Sequence, residues 1–137
     1  MRFWDTSAII PLLVAEPNSA RVHELLERDP DMAVWWSTPV ECWSALSRLH
    51  REGKIGMRDE DGARALIELL RSTWYEVLPS EEVRLQARRL LRLHALRAAD
   101  SLQLAAALVW ADGDTAEFVS FDTHLRRAAL LEGLQVV

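Results

Sequence analysis

Cysteine is nearly missing from this chain: Cys42 stands alone among 137 residues. An internal disulfide is therefore excluded, as is any zinc site built on cysteines. A lone thiol suits a reducing compartment. Histidine is sparse too. His23, His50, His94 and His124 are dispersed and no two are four residues apart, so the helical two-histidine zinc spacing is absent. Long apolar runs are also lacking. None approaches the roughly 18 residues that span a membrane. The opening Met1-Arg2-Phe3-Trp4-Asp5 reads as a strand, not as the apolar segment of a signal peptide. A cytoplasmic protein with no membrane partner is the expectation. Lysine is reduced to Lys54, so almost all positive charge is arginine, and the formal net charge is −5. That sign argues against a protein that coats duplex nucleic acid. It leaves room for a small enzyme whose acids gather around a metal. There is no P-loop and no glycine-rich dinucleotide fingerprint.

What is present is enough apolar residue, 50% of the chain, to build a real core. The length predicts one domain over residues 1–137, and no repeat or linker interrupts it. Elements alternate. Arg2–Asp5 predicts a strand and a short helix follows from Ser7, with Pro11 early enough to be tolerated or to kink it. Asn18 is the expected cap of a second helix, with Val22, Leu25 and Leu26 on its apolar face, ended by Asp29-Pro30. Met32–Trp36 predicts a strand. Thr38 as N-cap and Pro39 at the first helical position then open a helix to about Glu52, where Glu41 stands at the capping-box position. An amphipathic helix is predicted from about Arg58 to Ser72, with Ala63, Leu66, Ile67 and Leu70 in phase. A strand at Tyr75–Leu78 precedes a helix capped by Ser80 and running to about His94. The apolar Ala98–Ala111 predicts a helix, Glu117–Phe121 a strand, and Asp122 the start of a last helix. Gly133 stops that helix, before a short strand at Leu134–Val137. Alternation of this kind predicts an α/β fold in three layers, with helices on both faces of a mainly parallel sheet of four to five strands.

Ligands of such sheets bind beyond the carboxyl ends of the strands, and acids stand there. Asp5 ends the first strand and Asp122 the fourth. Glu41 opens the helix after the second strand, and Asp100 opens the apolar helix before the fourth. Singly, Asp5, Glu41 and Asp122 also read as helix caps. Asp100 precedes the apolar Ser101–Leu108, where a carboxylate needs a partner; an ion pair with Arg97 or another arginine is the structural alternative. Together the four change meaning. Two carboxylates about 5 Å apart repel by roughly 3 kcal/mol at an effective dielectric near 20. A hard cation such as Mg²⁺ or Mn²⁺ turns that repulsion into a site.

Four segments carry a resemblance: Asp5-Thr6-Ser7; Thr38-Pro39-Val40-Glu41; Leu96-Arg97-Ala98-Ala99-Asp100-Ser101-Leu102-Gln103-Leu104-Ala105; and Phe118-Val119-Ser120-Phe121-Asp122. In order and spacing the chain resembles a PIN domain, and is similar to the VapC-type toxins of toxin–antitoxin pairs. The resemblance implies an acidic pocket at one end of a parallel sheet and Mg²⁺- or Mn²⁺-dependent cleavage of RNA. Water activated by the metal would attack phosphorus in line, leaving a 5′-phosphate and a 3′-hydroxyl. It further implies Asp5 and Asp100 as main metal ligands, Glu41 completing the site and Asp122 as the fourth acid. Ser7 and Ser120 would orient carboxylates or waters; Ser120 stands where the family pattern leads us to expect threonine, with the hydroxyl kept. A homodimer bound to a cognate antitoxin is implied as well.

Arg84, Arg88 and Arg92 recur at i, i+4, i+8 on one helix face, with Arg97 nearby. This reads either as a solvated face or as an edge that contacts RNA phosphates or an antitoxin. Trp4, Trp35, Trp36, Trp43, Trp74 and Trp110 suit core or interface, with base stacking as the alternative. Trp35 and Trp36 cannot both face inward from one regular strand, so one of them is a candidate interface residue. Rival functions are weaker. A phosphoaspartate enzyme of the dehalogenase type needs an aspartate where Ser7 stands, and a receiver domain needs a lysine late in the chain. A Cys42–histidine nucleophile has no supporting motif. A non-catalytic PIN-like module that binds RNA or antitoxin is the remaining alternative.

Overall fold

The computed structural model describes all residues, 1–137. Seven helices surround one five-stranded sheet in the order β1 (Arg2–Trp4), α1 (Thr6–Leu13), α2 (Ser19–Arg28), β2 (Met32–Trp35), α3 (Thr38–Arg51), α4 (Met57–Arg71), β3 (Tyr75–Val77), α5 (Glu81–Leu93), α6 (Ala98–Ala111), β4 (Glu117–Val119), α7 (Thr123–Leu131), β5 (Gln135–Val136). The strands pair in the order β3-β2-β1-β4-β5, and every pairing is parallel. The chain lays β2 and β3 to one side of β1, then crosses to place β4 and β5 on the other. The order therefore reverses beside β1, and that is where ligand crevices form in sheets of this type.

Strand alternation explains the three layers. Phe3, Ala33, Trp35 and Phe118 point to one face, where they meet Val83, Ala87 and Leu90 of α5, Leu104 of α6 and Leu125 of α7. Trp4, Met32, Val34 and Val119 point to the other, against Ile9 of α1, Val22 of α2, Leu46 of α3 and Ile67 of α4. Successive residues serve opposite cores because the side-chain period of a strand is two. Both faces being covered, the strands carry apolar residues in succession instead of alternating with polar ones. Phe3 and Phe118 stack across β1 and β4 with centroids 5.8 Å apart.

Several local expectations are corrected. The Asn18 side chain caps nothing; Ser19 does the local bonding, its hydroxyl accepting from Glu16 N and donating to Pro11 O. Thr38 lies inside α3, not at its cap, and Ser37 takes the cap position without bonding backbone through its side chain. Glu41 consequently forms no capping box; its carboxylate turns inward to the partners described below. β2 ends at Trp35, so Trp36 is free of the strand's alternation and stands 51% exposed while Trp35 is buried. Ser80 caps α5 through Val83 N as predicted. Gly133, with φ +92°, ends α7 in the left-handed region that glycine adopts without penalty. No helix is long and apolar enough to cross a membrane.

Candidate active site

Asp5 leaves β1 at the centre of the sheet's carboxyl edge, its amide donating to Val119 O of β4 at 3.0 Å. It caps α1 and is only 4% exposed. Three donors converge on one oxygen, Oδ2: Ser7 Oγ at 2.5 Å, Ser120 Oγ at 2.9 Å and Ser7 N at 3.2 Å. Each hydroxyl is itself held by a backbone amide, Ser7 Oγ by Phe121 N at 2.9 Å and Ser120 Oγ by Asp122 N at 3.2 Å. With its single proton spent on Asp5, neither serine has one left for the other, so their 3.3 Å approach is a contact within a shared cage. Asp5 Oδ1 accepts no hydrogen bond. Burial pushes the Asp5 carboxyl up to about 6; the serine bonds pull against that rise, and the charge of Glu41 adds to it.

Glu41 sits in the first turn of α3, held from three elements. Ser37 Oγ donates to its Oε1 at 2.8 Å. Thr6 Oγ1 of α1 and Gln103 Nε2 of α6 reach its Oε2, at 2.9 and 3.1 Å. Gln103 Nε2 also lies 2.9 Å from Thr6 Oγ1 and 3.2 Å from Thr38 Oγ1. The glutamine is 1% exposed, and its Oε1 is buried without a partner. From sequence, Thr6, Ser37 and Gln103 carry no site role, and Thr38 only that of a helix cap. One signal was there: Gln103 is a polar residue in the middle of an apolar helix, and a buried amide needs partners.

Asp122 caps α7, accepting from Leu125 N at 2.7 Å through Oδ1. The cap role and a ligand role are compatible, because its second oxygen is unengaged. Asp100, in the first turn of α6, makes neither hydrogen bond nor ion pair and is half-buried. The arginine partner considered for it is therefore absent. The cavity it lines, about 510 Å³, is shared with Asp122, Arg97 and His124.

The four acids thus stand along one edge as two sets. Asp5 and Glu41 lie inside, electrostatically coupled. Asp100 and Asp122 face the open cleft. In the side-chain positions observed, no three acids, histidines or thiols converge to hold a metal ion. The donor chemistry fits a hard cation nonetheless: every candidate ligand is a carboxylate oxygen, and Asp5 Oδ1, one Asp122 oxygen and the whole Asp100 carboxylate are uncommitted. The predicted arginines separate. Arg97 borders the acid cleft. Arg88 and Arg92 line another groove with Leu85, Arg89 and Leu93. Arg84 pairs with Glu81 at 2.6 Å beside a third. Cys42 is buried, and burial together with the charges of Glu41 and Asp5 pushes its thiol up to about 12, which leaves it unsuited to nucleophilic work.

The PIN domain family matches residues 2–131 of the chain. Solved structures are similar over nearly its full length. A toxin–antitoxin complex from Klebsiella pneumoniae superposes with a TM-score of 0.71 at 19% identity, covering 100% of this chain and 96% of the other. VapBC2 from Rickettsia felis, bound to a DNA fragment from its promoter, gives 0.67 at 14%, with 99% and 96% covered. FitAcB from Neisseria gonorrhoeae gives 0.67 at 19%, again with 99% and 96% covered. At these identities the likeness is one of fold. No curated protein matches the chain in sequence.

Proposed function

The chain belongs to the PIN-domain family, and on that premise we propose that residues 1–137 form one domain acting as a metal-dependent endoribonuclease, the toxin of a toxin–antitoxin pair. The observation that carries this reading is the asymmetry of Asp5. Three hydrogen bonds occupy Oδ2 and leave Oδ1 without one, where burial pushes the carboxyl up to about 6. A buried carboxylate that is costly to ionise, with one oxygen clamped and one unbonded, is suited to a cation.

Asp5, Glu41, Asp100 and Asp122 would hold Mg²⁺ or Mn²⁺. When bound, such an ion supplies Lewis acidity toward a phosphoryl oxygen and makes water a better nucleophile. The protein's part is position. Ser7 and Ser120 set the plane of the Asp5 carboxylate, while Ser37, Thr6 and Gln103 set that of Glu41. Asp100, held by no hydrogen bond or ion pair, would be free to turn on its own rotamers toward such an ion. The scissile phosphodiester lies in the cleft between Asp100 and Asp122, with Arg97 available to a non-bridging oxygen.

A cognate antitoxin and a second copy of the chain complete the reading, in the cytoplasm. Leu85 and Leu93 of α5 stand in solvent beside Arg88 and Arg92, an apolar and basic face that such contacts would cover. A second reading, a module that binds RNA or antitoxin without cleaving, draws on the spacing of the acids, no three of which converge. Incubating RNA with the protein and Mg²⁺ or Mn²⁺, then sequencing the new ends, separates the two. Cleavage that stops in EDTA and in the Asp5→Asn, Asp100→Asn double variant supports the nuclease. Cleavage that survives the double variant, or none with either metal, sinks it.

A further inference from the structure

The acid cleft does not end at Asp122. Ala95 and His124 also line a smaller adjoining cavity of about 250 Å³, together with Leu93, His94, Arg127 and Leu131. His124, Arg127 and Leu131 are spaced i, i+3, i+7 along α7 and so share one face. The opposite wall is the short connection from α5 to α6. No carboxylate lines this second cavity. Glu132, which bonds His94 of its wall, is already engaged: Arg89 reaches it at 2.5 Å and His94 at 2.7 Å. Burial raises the Glu132 carboxyl, but those two partners outweigh it and hold the group below the usual carboxylate range. Arg97 and Arg127 are both exposed. Neither has an acidic partner, unlike Arg2, Arg64, Arg84 and Arg89.

We propose that this second cavity is a phosphate subsite, in which Arg127 and His124 bind the backbone phosphate next to the scissile one in a single-stranded RNA. The proposal rests on the nuclease reading for what lies in the first cleft. Two facts select the ligand. The first cleft is acidic and would admit a phosphate only over a cation, whereas the second offers an unpaired guanidinium and an imidazole with no carboxylate. A guanidinium facing a cavity from a rigid helix is suited to two-pronged contact with phosphate oxygens. Single-strandedness follows from shape and charge. A strand must bend through two small joined cavities, and a chain of net charge −5 has little to offer the outer surface of a duplex.

Salt dependence of binding tests this without any chemistry. A fluorescein-labelled single-stranded RNA decamer is titrated with the full chain carrying Asp100→Asn, in Mg²⁺, across a series of salt concentrations. Adding Arg127→Gln should weaken binding roughly fivefold at 0.1 M salt and reduce the slope of log K against log salt by about 0.7, as for one lost single-strand phosphate contact. Arg127→Lys should restore most of the slope, because the charge is kept. Arg58→Gln, on a surface away from both cavities, should leave it unchanged. An unaltered slope in Arg127→Gln, an equal fall in Arg58→Gln, or no RNA binding by the Asp100→Asn protein overturns the subsite. Failure of the nuclease reading would register separately, as a wild-type protein that binds RNA with this Arg127 dependence and never cuts it.

Discussion

Gln103 of α6 and Glu41 of α3, 62 residues apart, meet at 3.1 Å, amide nitrogen to carboxylate oxygen. Thr6 joins them, accepting from the first and donating to the second, each at 2.9 Å. We expect Gln103→Leu to weaken Mn²⁺ binding and RNA cleavage by roughly 10- to 100-fold, in the range of other residues that hold a ligand in place. Gln103→Glu sets a second carboxylate beside Glu41 and should move the acid limb of the rate profile to higher pH. Calorimetric Mn²⁺ titration and a pH–rate series check both. Unchanged affinity in the two variants would leave Gln103 a packing role only.

Asp5 should make the metal-free protein less stable as pH rises. Its folded pKa, about 6, lies above the ordinary 3.8. Its contribution is therefore fully present below pH 3.8 and is lost as pH rises through about 6. The span corresponds to about 3 kcal/mol. Asp5→Asn keeps an oxygen for the serines and removes the titration. In EDTA at pH 7.5 it should be more stable than wild type, with the gap closing below about pH 4. Urea unfolding at several pH values measures the difference, which cancels the other carboxylates. A gap that is constant with pH would contradict the assignment.

Asp100 should behave differently. Having no hydrogen bond or ion pair to lose, Asp100→Asn should leave metal-free stability within about 0.5 kcal/mol of wild type. The stabilisation by saturating Mg²⁺ or Mn²⁺, about 2.7 kcal/mol at a hundredfold excess over Kd, should shrink in both Asp100→Asn and Asp5→Asn. Thermal melts with and without metal report it. A large loss of metal-free stability in Asp100→Asn would point to an ion pair after all.

Cys42 should resist thiol reagents in the native protein. It is buried beside two acids, and its pKa of about 12 leaves little thiolate at neutral pH. Labelling with a disulfide reagent should proceed only at the rate of local or global opening, and faster in mild urea. Rapid stoichiometric labelling in buffer would contradict this.

The layered fold was legible because its signals are local. Apolar residues repeat along Arg58–Ser72 with helical spacing, and Ser80 with Glu81 and Glu82 marks a helix start. The placement of the acids was legible for a topological reason: in a parallel sheet, residues just past the strands share an edge, so Asp5 and Asp122 lie on one edge although 117 positions separate them, with the Ser120 hydroxyl bonded to the carboxylate of the first and the amide of the second. What could not be read depends on contacts between distant segments. Glu41 has the spacing of a capping box, yet Thr6 and Gln103 offer its carboxylate better partners than the backbone of its own helix. The arginines share a helix face in sequence, but the bend at His94 and Ala95 carries Arg97 to the acid cleft and leaves Arg88 and Arg92 on another surface.

The glutamine bridge also joins the two halves of the molecule. Thr6 and Glu41 belong to the layer that packs around Trp4, Gln103 to the layer that packs around Phe3, and the site lies where the sheet's edge lets them touch. Neither layer holds a complete set of polar partners. A transient opening of α6 would remove one of the three anchors of Glu41 and swing away Asp100 in a single movement, while the other core stayed shut. Amide exchange at the start of α6 should accordingly slow when metal binds, with little change along α4, and activity should fade with temperature ahead of the main unfolding transition.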